Sequence, residues 1–342
     1  MALPRSGASA LFAIAVFAAA CRDRGSSDTT SATASETTST EAPSVASPAP
    51  PLPSSGAPLE ASERALTVTL PPPPPPKPRC PADMVLVKDS YCVDRYESYV
   101  VDNATNMVIS PYYPPEPGKA AYIEKIWLGL KGGGTDLEQS TPLPPLPALQ
   151  KQKSFQPRAL NKKGMVPQGY ASGKDAALAC KNAGKRLCTR DEWHTACRGD
   201  QDRDFPYGDK YVQGVCNIFR ENHPGFMLWD NPSINHTDPR FNLMKTKQGP
   251  LLRVTGATLG CISKWGSDAI YDMVGNIDEW IDDPEGTFVG GFYARGKKDG
   301  CQSAVTNHPY DYADYSTGIR CCADATLGPP RDPKPPDPKR PP

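Results

Sequence analysis

Eleven cysteines stand at positions 21, 80, 92, 180, 188, 197, 216, 261, 301, 321 and 322, and what this chain can fold into turns on how they are used. Setting Cys21 aside leaves ten, an even number, between Cys80 and Cys322. Such a set staples a fold, binds soft metals or carries thiol chemistry. The metal alternative lacks its spacing signals. There is no C-x-x-C and no H-E-x-x-H, and the four histidines, 194, 223, 236 and 308, are scattered. The vicinal Cys321 and Cys322 are the one redox candidate. The choice rests on compartment, because disulfides persist outside the reducing cytosol.

The amino terminus supplies that information. Arg5 gives a positive start, and Ala10 to Ala20 is an unbroken apolar run of 11 residues, too short for a membrane-spanning helix. Small residues and then Cys21 close it, as in a bacterial lipoprotein signal, so residues 1–21 are expected to be a signal peptide with Cys21 as the lipidated first mature residue. The alternative is an ordinary signal peptide cut near Ala20. Either way the chain is exported and the ten cysteines favour a disulfide framework. An acyl chain on Cys21 would hold the protein on a membrane, at about 0.8 kcal/mol per buried CH2. Arg22 rather than Asp follows it, so the outer membrane or the periplasmic face is the expected location.

Residues 22–79 contain no Phe, Tyr or Trp and end in six consecutive prolines, Pro71 to Pro76. That composition cannot bury enough apolar area to offset ordering entropy, so it is expected to be a disordered tether. Residues 328–342 form a second Pro-rich segment, expected to be a disordered tail. The folded domain is then 80–327. Lys+Arg and Asp+Glu are 38 each, a net charge of +0, so no basic field points to nucleic acid.

Within the domain, Met84 to Val101 alternates and is rich in Val and Tyr, which predicts strands. Gly118 to Gly134 has apolar residues at helical spacing and a glycine stop, and predicts a short helix. Its glycines lack the spacing of a phosphate loop, and no G-x-S-x-G occurs. Residues 135–160 read as an irregular insertion. Two capping boxes follow. Ser172 with Asp175 opens a helix that Gly184 stops, and Thr189 with Glu192 opens the next. Beyond Gly199 the chain reads as loops and short strands.

Five blocks carry a resemblance. NAGKRLCTRDEWHTACRG from Asn182, FPYGD from Phe205, DMVGNIDEW from Asp272, VGGFYARG from Val289 and TGIRCCAD from Thr317 resemble, in order, blocks of the formylglycine-generating enzyme (sulfatase-modifying factor) family. Cys216-Asn217-Ile218 falls where the family has its N-I/V pair. The resemblance implies an irregular, coil-rich α+β domain related to the C-type lectin fold, with few short helices and strands. It also implies the bridges Cys180–Cys321 and Cys197–Cys301. Cys80 and Cys92 flank the first strand as a hairpin staple. Cys188, Cys216, Cys261 and Cys322 remain, and Cys216–Cys261 with Cys188–Cys322 is one of their possible pairings.

The family's oxidases bind copper(I) through two cysteine thiolates, a soft pair for a soft ion. The matching stretch here, Gly290 to Gly300, holds no cysteine, so copper is not expected. The family also implies calcium, which takes six to eight oxygens. Carried over residue by residue, the side chains of Asp272 and Glu279 and the carbonyls of Gly275 and Ile277 would hold one ion. Asn217 and the Ile218 carbonyl would contribute to a second. The alternative is a turn whose carboxylates face water. A catalytic acid pair is disfavoured, because adjacent Asp278 and Glu279 point to opposite faces of an extended segment.

The stretch His308 to Tyr315 borders the family's substrate groove. Tyr310, Asp311, Tyr312, Asp314 and Tyr315 there suit a peptide or glycan ligand, or serve packing. Arg295 is expected at the groove floor as an anion ligand, and Arg320 as a structural donor. The expected function is a membrane-anchored, calcium-stabilised binding or scaffolding module without the oxidase activity. The alternative is an enzyme of the broader family, an oxidoreductase or a siderophore-maturation type, with a rearranged site.

Overall fold

The computed structural model describes residues 78–327 except Lys131. The expected signal peptide with Cys21, most of the tether and the Pro-rich tail lie outside them. Strand Pro78–Arg79 pairs with Thr326–Leu327, so the two ends of the described region meet.

Five short helices occur: α1 Lys119–Gly129, α2 Asp136–Ser140, α3 Gly173–Asn182, α4 Arg190–Arg198 and α5 Pro224–Trp229. Both capping boxes form. The Ser172 hydroxyl accepts from the Asp175 N–H, and Thr189 accepts from Glu192, with each carboxylate returning to the cap backbone. The strand region Met84 to Val101 breaks into Met84–Val87, Tyr91–Asp94 and Ser98–Asp102. Residues 135–160 are less irregular than their sequence predicts. They contain α2, a turn of 3-10 helix and the strand Pro157–Asn161, which pairs along its length with Ser98–Asp102. PRALN has no β-branched or aromatic residue, so its partner rather than its propensity makes it a strand.

Two four-stranded sheets carry the core. One runs Met84–Val87, Tyr91–Asp94, Cys321–Asp324, Arg186–Leu187, all antiparallel. The other runs Ala304–Val305, Phe288–Val289, Asp278–Trp280, Thr317–Gly318, the last pair parallel. The remaining strands form isolated pairs, which gives a mixed α+β fold dominated by coil.

Five disulfides join Cys80 to Cys92, Cys180 to Cys321, Cys188 to Cys322, Cys197 to Cys301 and Cys216 to Cys261. The vicinal pair is divided between them. Successive side chains of a strand face opposite ways. Cys321 therefore packs with Cys180, Trp280 and Phe288, while Cys322 packs with Cys188, Trp193 and Val93 in a second cluster. One strand is the partition between two cores, and a bridge pins it on each side.

Arg320, immediately before that strand, is fully buried. Its guanidinium donates to both carboxylate oxygens of Glu279 and to the carbonyls of Asp94 and Tyr271 at 2.8 Å. Glu279 also accepts from the Trp193 indole at 2.6 Å. Removing one partner of a buried ion pair strands the other charge, at a cost of about 3–5 kcal/mol. Arg320→Met should therefore lower the unfolding free energy by about that amount in urea. Arg320→Met with Glu279→Leu should recover part of the loss, and a single-variant loss below about 1 kcal/mol would contradict this role.

Candidate functional site

The strand Asp278–Trp280 organises the site through its alternation. Glu279 faces Arg320 and Trp193. Asp278 faces the other way, where it accepts from the Gly291 N–H at 2.9 Å and pairs with Arg295. Burial pushes the Asp278 carboxyl up to about 7, against the opposing pull of Arg295. Trp280 lies in the core, its indole donating to the Ala171 carbonyl.

The residues expected to hold calcium meet unequally. Asp272 is buried with positive φ, and one oxygen accepts from the Gly256 N–H at 2.7 Å. Its Oδ1 has no partner. Gly275 has φ 84, and a Cβ there would stand 2.4 Å from the Asn217 carbonyl oxygen, so the turn demands glycine. The Gly275 carbonyl accepts from the Ile277 N–H at 2.8 Å. Glu279 does not fit the expected set, because Arg320 and Trp193 already occupy its carboxylate and a guanidinium supplies its counter-charge. Asn217 donates to Leu251 and Asn276, which leaves its Oδ1 unpartnered, and Ile218 is buried beside it.

Glu97, which sequence reasoning missed, is fully buried and turned toward the same place. Its Oε2 accepts from Asn276, its Oε1 has no partner, and burial with Asp272 nearby holds its carboxyl well above the usual range. Burial likewise pushes Asp272 up to about 6. Three buried oxygens, from Asp272, Glu97 and Asn217, thus lack partners; Glu97 and Asn217 both bond Asn276, and Asp272 lies close enough to Glu97 to raise its carboxyl. Oxygen donors of this kind suit a hard cation. Among the described residues no three Asp, Glu, His or Cys side chains converge as a ready metal cluster, so carbonyl and amide oxygens would have to complete a shell.

The tyrosines of His308 to Tyr315 turn inward. Tyr310 packs edge-on against Trp280, and Tyr312 stacks on His308 at 3.9 Å. Tyr312 donates to Asp314, whose other oxygen accepts from Ser316. Tyr315 is buried, and Asp311 is exposed beside Lys174. This stretch is a packing element, with Asp311 at its surface. Arg295 is answered by Asp278, so its charge is not free for an anion, although its Nε has no partner.

His223 was also missed. Its Nδ1 accepts the Gly225 N–H and so caps α5, which leaves the proton on Nε2, 2.8 Å from the Tyr315 hydroxyl. Burial, and then His236, hold its imidazole down to about 4.

All ten cysteines among the described residues are bridged. With none in Gly290 to Gly300, the donors present do not fit a two-thiolate copper site.

The model of the sulfatase-modifying factor enzyme 1-like domain matches residues 139–325, just over half of the chain. A comparison with curated proteins finds no match. Among solved structures, PvdO from Pseudomonas aeruginosa is 14% identical over 68% of this chain and 80% of its own, with a TM-score of 0.32. CarF is 15% identical over 68% of this chain and 86% of its own, with a TM-score of 0.34. The Major Tropism Determinant I1 variant is 14% identical over 74% of this chain, with a TM-score of 0.35, and this chain spans 55% of its length.

The low pKa of His223 has a consequence for stability. The unfolded imidazole titrates near its ordinary 6.5, the folded one near 4, so between these values the unfolded state binds the extra proton. This contribution to stability is present above about 6.5 and is lost as pH falls toward 4. The buried carboxyls Asp278 and Asp272, raised to about 7 and 6, act in the opposite sense over this range, so the His223 contribution is read as a difference between wild type and variant in the change of urea midpoint from pH 7.5 to 5. His223→Asn, which keeps a cap acceptor and removes the titration, should fall less or rise more than wild type over that range, and equal changes would refute the assignment.

Proposed function

The chain belongs to the sulfatase-modifying factor enzyme 1-like domain family, and from that premise we propose that it is a binding or scaffolding module without formylglycine-generating oxidase activity. The observation that carries this reading is the state of its sulfurs. Copper(I) chemistry of the family's kind needs two thiolates, and every described cysteine is engaged in a bridge. Five disulfides are consistent with an exported protein. An acylated Cys21 would then hold the module on the envelope membrane, facing a peptide or glycan ligand.

Calcium is the second part of the proposal, with two changes from the sets expected by resemblance: Glu97 replaces Glu279, and Asn217, expected at a second ion, joins the first. Glu97, Asp272 and the Asn217 amide oxygen then hold the ion with help from carbonyls. The three unpartnered buried oxygens support this, and the engaged carboxylate of Glu279 is the reason for the exchange.

Two measurements separate the parts. Purified mature protein given copper(I), oxygen and a C-x-P-x-R peptide should form no formylglycine, and denatured protein should show no free thiol among Cys80 to Cys322. Turnover would overturn the non-oxidase reading, and bound iron or copper by elemental analysis would favour an enzyme. Calcium at about 100 times its Kd should stabilise by about 2.7 kcal/mol, a rise of roughly 5–10 °C in Tm over chelator-treated protein. Glu97→Gln should abolish that rise. Identical melting with and without chelator would eliminate the calcium part and leave the rest standing.

A further inference from the structure

A cavity of about 580 Å³ opens between α1, α2 and Arg240. Five of its eleven lining residues precede 139, outside the stretch the family model matches. It shares no residue with the cation set or with the His308 to Tyr315 stretch, and does not depend on the function proposed above. Its volume is in the range of small-ligand sites, about 300–1,000 Å³. Leu128, Leu130 and Leu143 give it apolar wall, and Leu128 and Leu130 are exposed at 56% and 50%.

Two residues that line this cavity each carry a buried polar atom without a partner. The Trp127 indole N–H has no acceptor, and Glu138 Oε2 has no donor, though the two residues are only 4% and 2% exposed. Buried polar atoms without partners are rare, and each costs about 1–3 kcal/mol when left so. The charges are unbalanced as well. Arg240 donates at 2.8 Å to Glu138 Oε1, but the same guanidinium also forms a two-pronged pair with buried Asp238, at 3.0 and 2.9 Å. Among the described residues, these two carboxylates share one cation, which leaves one negative charge beside the cavity.

An occupant that answers all of this carries a cationic N–H donor for Glu138, an acceptor oxygen for Trp127 and an apolar body for the leucines. The geometry points to an apolar aminoacyl group with a free ammonium, as at the amino terminus of a peptide. The ammonium meets Glu138 Oε2 as a charge-assisted bond, and the first carbonyl oxygen accepts from Trp127 Nε1. The first side chain lies against the leucine walls. A neutral ligand leaves the excess charge unanswered, and an anion is repelled.

Calorimetry on the full mature chain tests this with leucinamide, which has all three features. N-acetyl-leucinamide, which lacks the ammonium, is the control probe. Leucinamide should saturate one site, and the acetylated compound should bind at least tenfold more weakly. Glu138→Gln, which keeps an acceptor for Arg240, should weaken leucinamide at least tenfold. Trp127→Phe, which keeps a ring against Trp229, should weaken it several-fold. Equal binding of the two probes, or no binding of leucinamide at millimolar concentration, would overturn the proposal without any variant having to fold. An unchanged affinity in Glu138→Gln protein of unchanged Tm would move the site elsewhere and overturn it equally.

Discussion

A charge fully removed from water holds the two sheets of this domain together. Arg320 reaches the carboxylate of Glu279 in one sheet and the Asp94 carbonyl in the other, and takes the Tyr271 carbonyl besides. Glu279 extends the link to α4 through Trp193. Such a pair adds little net stability over a well-packed apolar substitute, because desolvation offsets most of the attraction. What it fixes is geometry. A guanidinium offers its donors in a rigid plane, and only one arrangement of these segments satisfies them all. The same pair explains why Glu279 is unavailable to a metal, and why a cation would have to draw on Glu97 instead.

Around that centre, regular hydrogen bonding is sparse. Most strands are two to five residues long, and α3, α4 and α5 are ten, nine and six residues. A fold with so much coil fixes backbone without long ladders to hold it, at a large entropic cost. The five bridges offset part of that by constraining the unfolded chain, each by roughly 2–4 kcal/mol. Three of them close loops of more than 100 residues, where the effect on chain entropy is greatest. The cost to function is plain: sulfur engaged in scaffolding is not available as a thiolate.

Two of the regions with unsatisfied polar groups differ in kind. Beside Glu97 and Asp272 the unpartnered atoms are oxygens, and the Asp272 charge helps to raise the Glu97 carboxyl. Beside α1 and α2 they are one donor and one acceptor in a cavity with apolar walls. The first asks for a small hard cation, the second for an organic group of some length. Five of the eleven buried side-chain atoms without partners among the described residues fall in those two places, and six lie elsewhere.

Local features were legible in the sequence. The capping boxes of α3 and α4 need only residues three apart, and the alternation of Met84 to Val101 announces strands by itself. The missing cysteines of Gly290 to Gly300 are likewise visible by inspection. The bridges were less so, since cysteine spacing leaves many pairings open, and the reading of Cys180 and Cys197 leaned on resemblance. The strand Pro157–Asn161, the inward turn of Tyr312 and Tyr315, and Glu97 beside Asp272 were not legible at all. Pro157–Asn161, Tyr315 and Glu97 depend on partners far away in the chain, 175 residues in the case of Glu97 and Asp272. The sequence by itself determined where this chain can cap, turn and bridge, because those acts involve neighbours. Only the tertiary structure decided which carboxylate received the guanidinium and which were left with bare oxygens, because burial and counter-charge are properties of a packed interior.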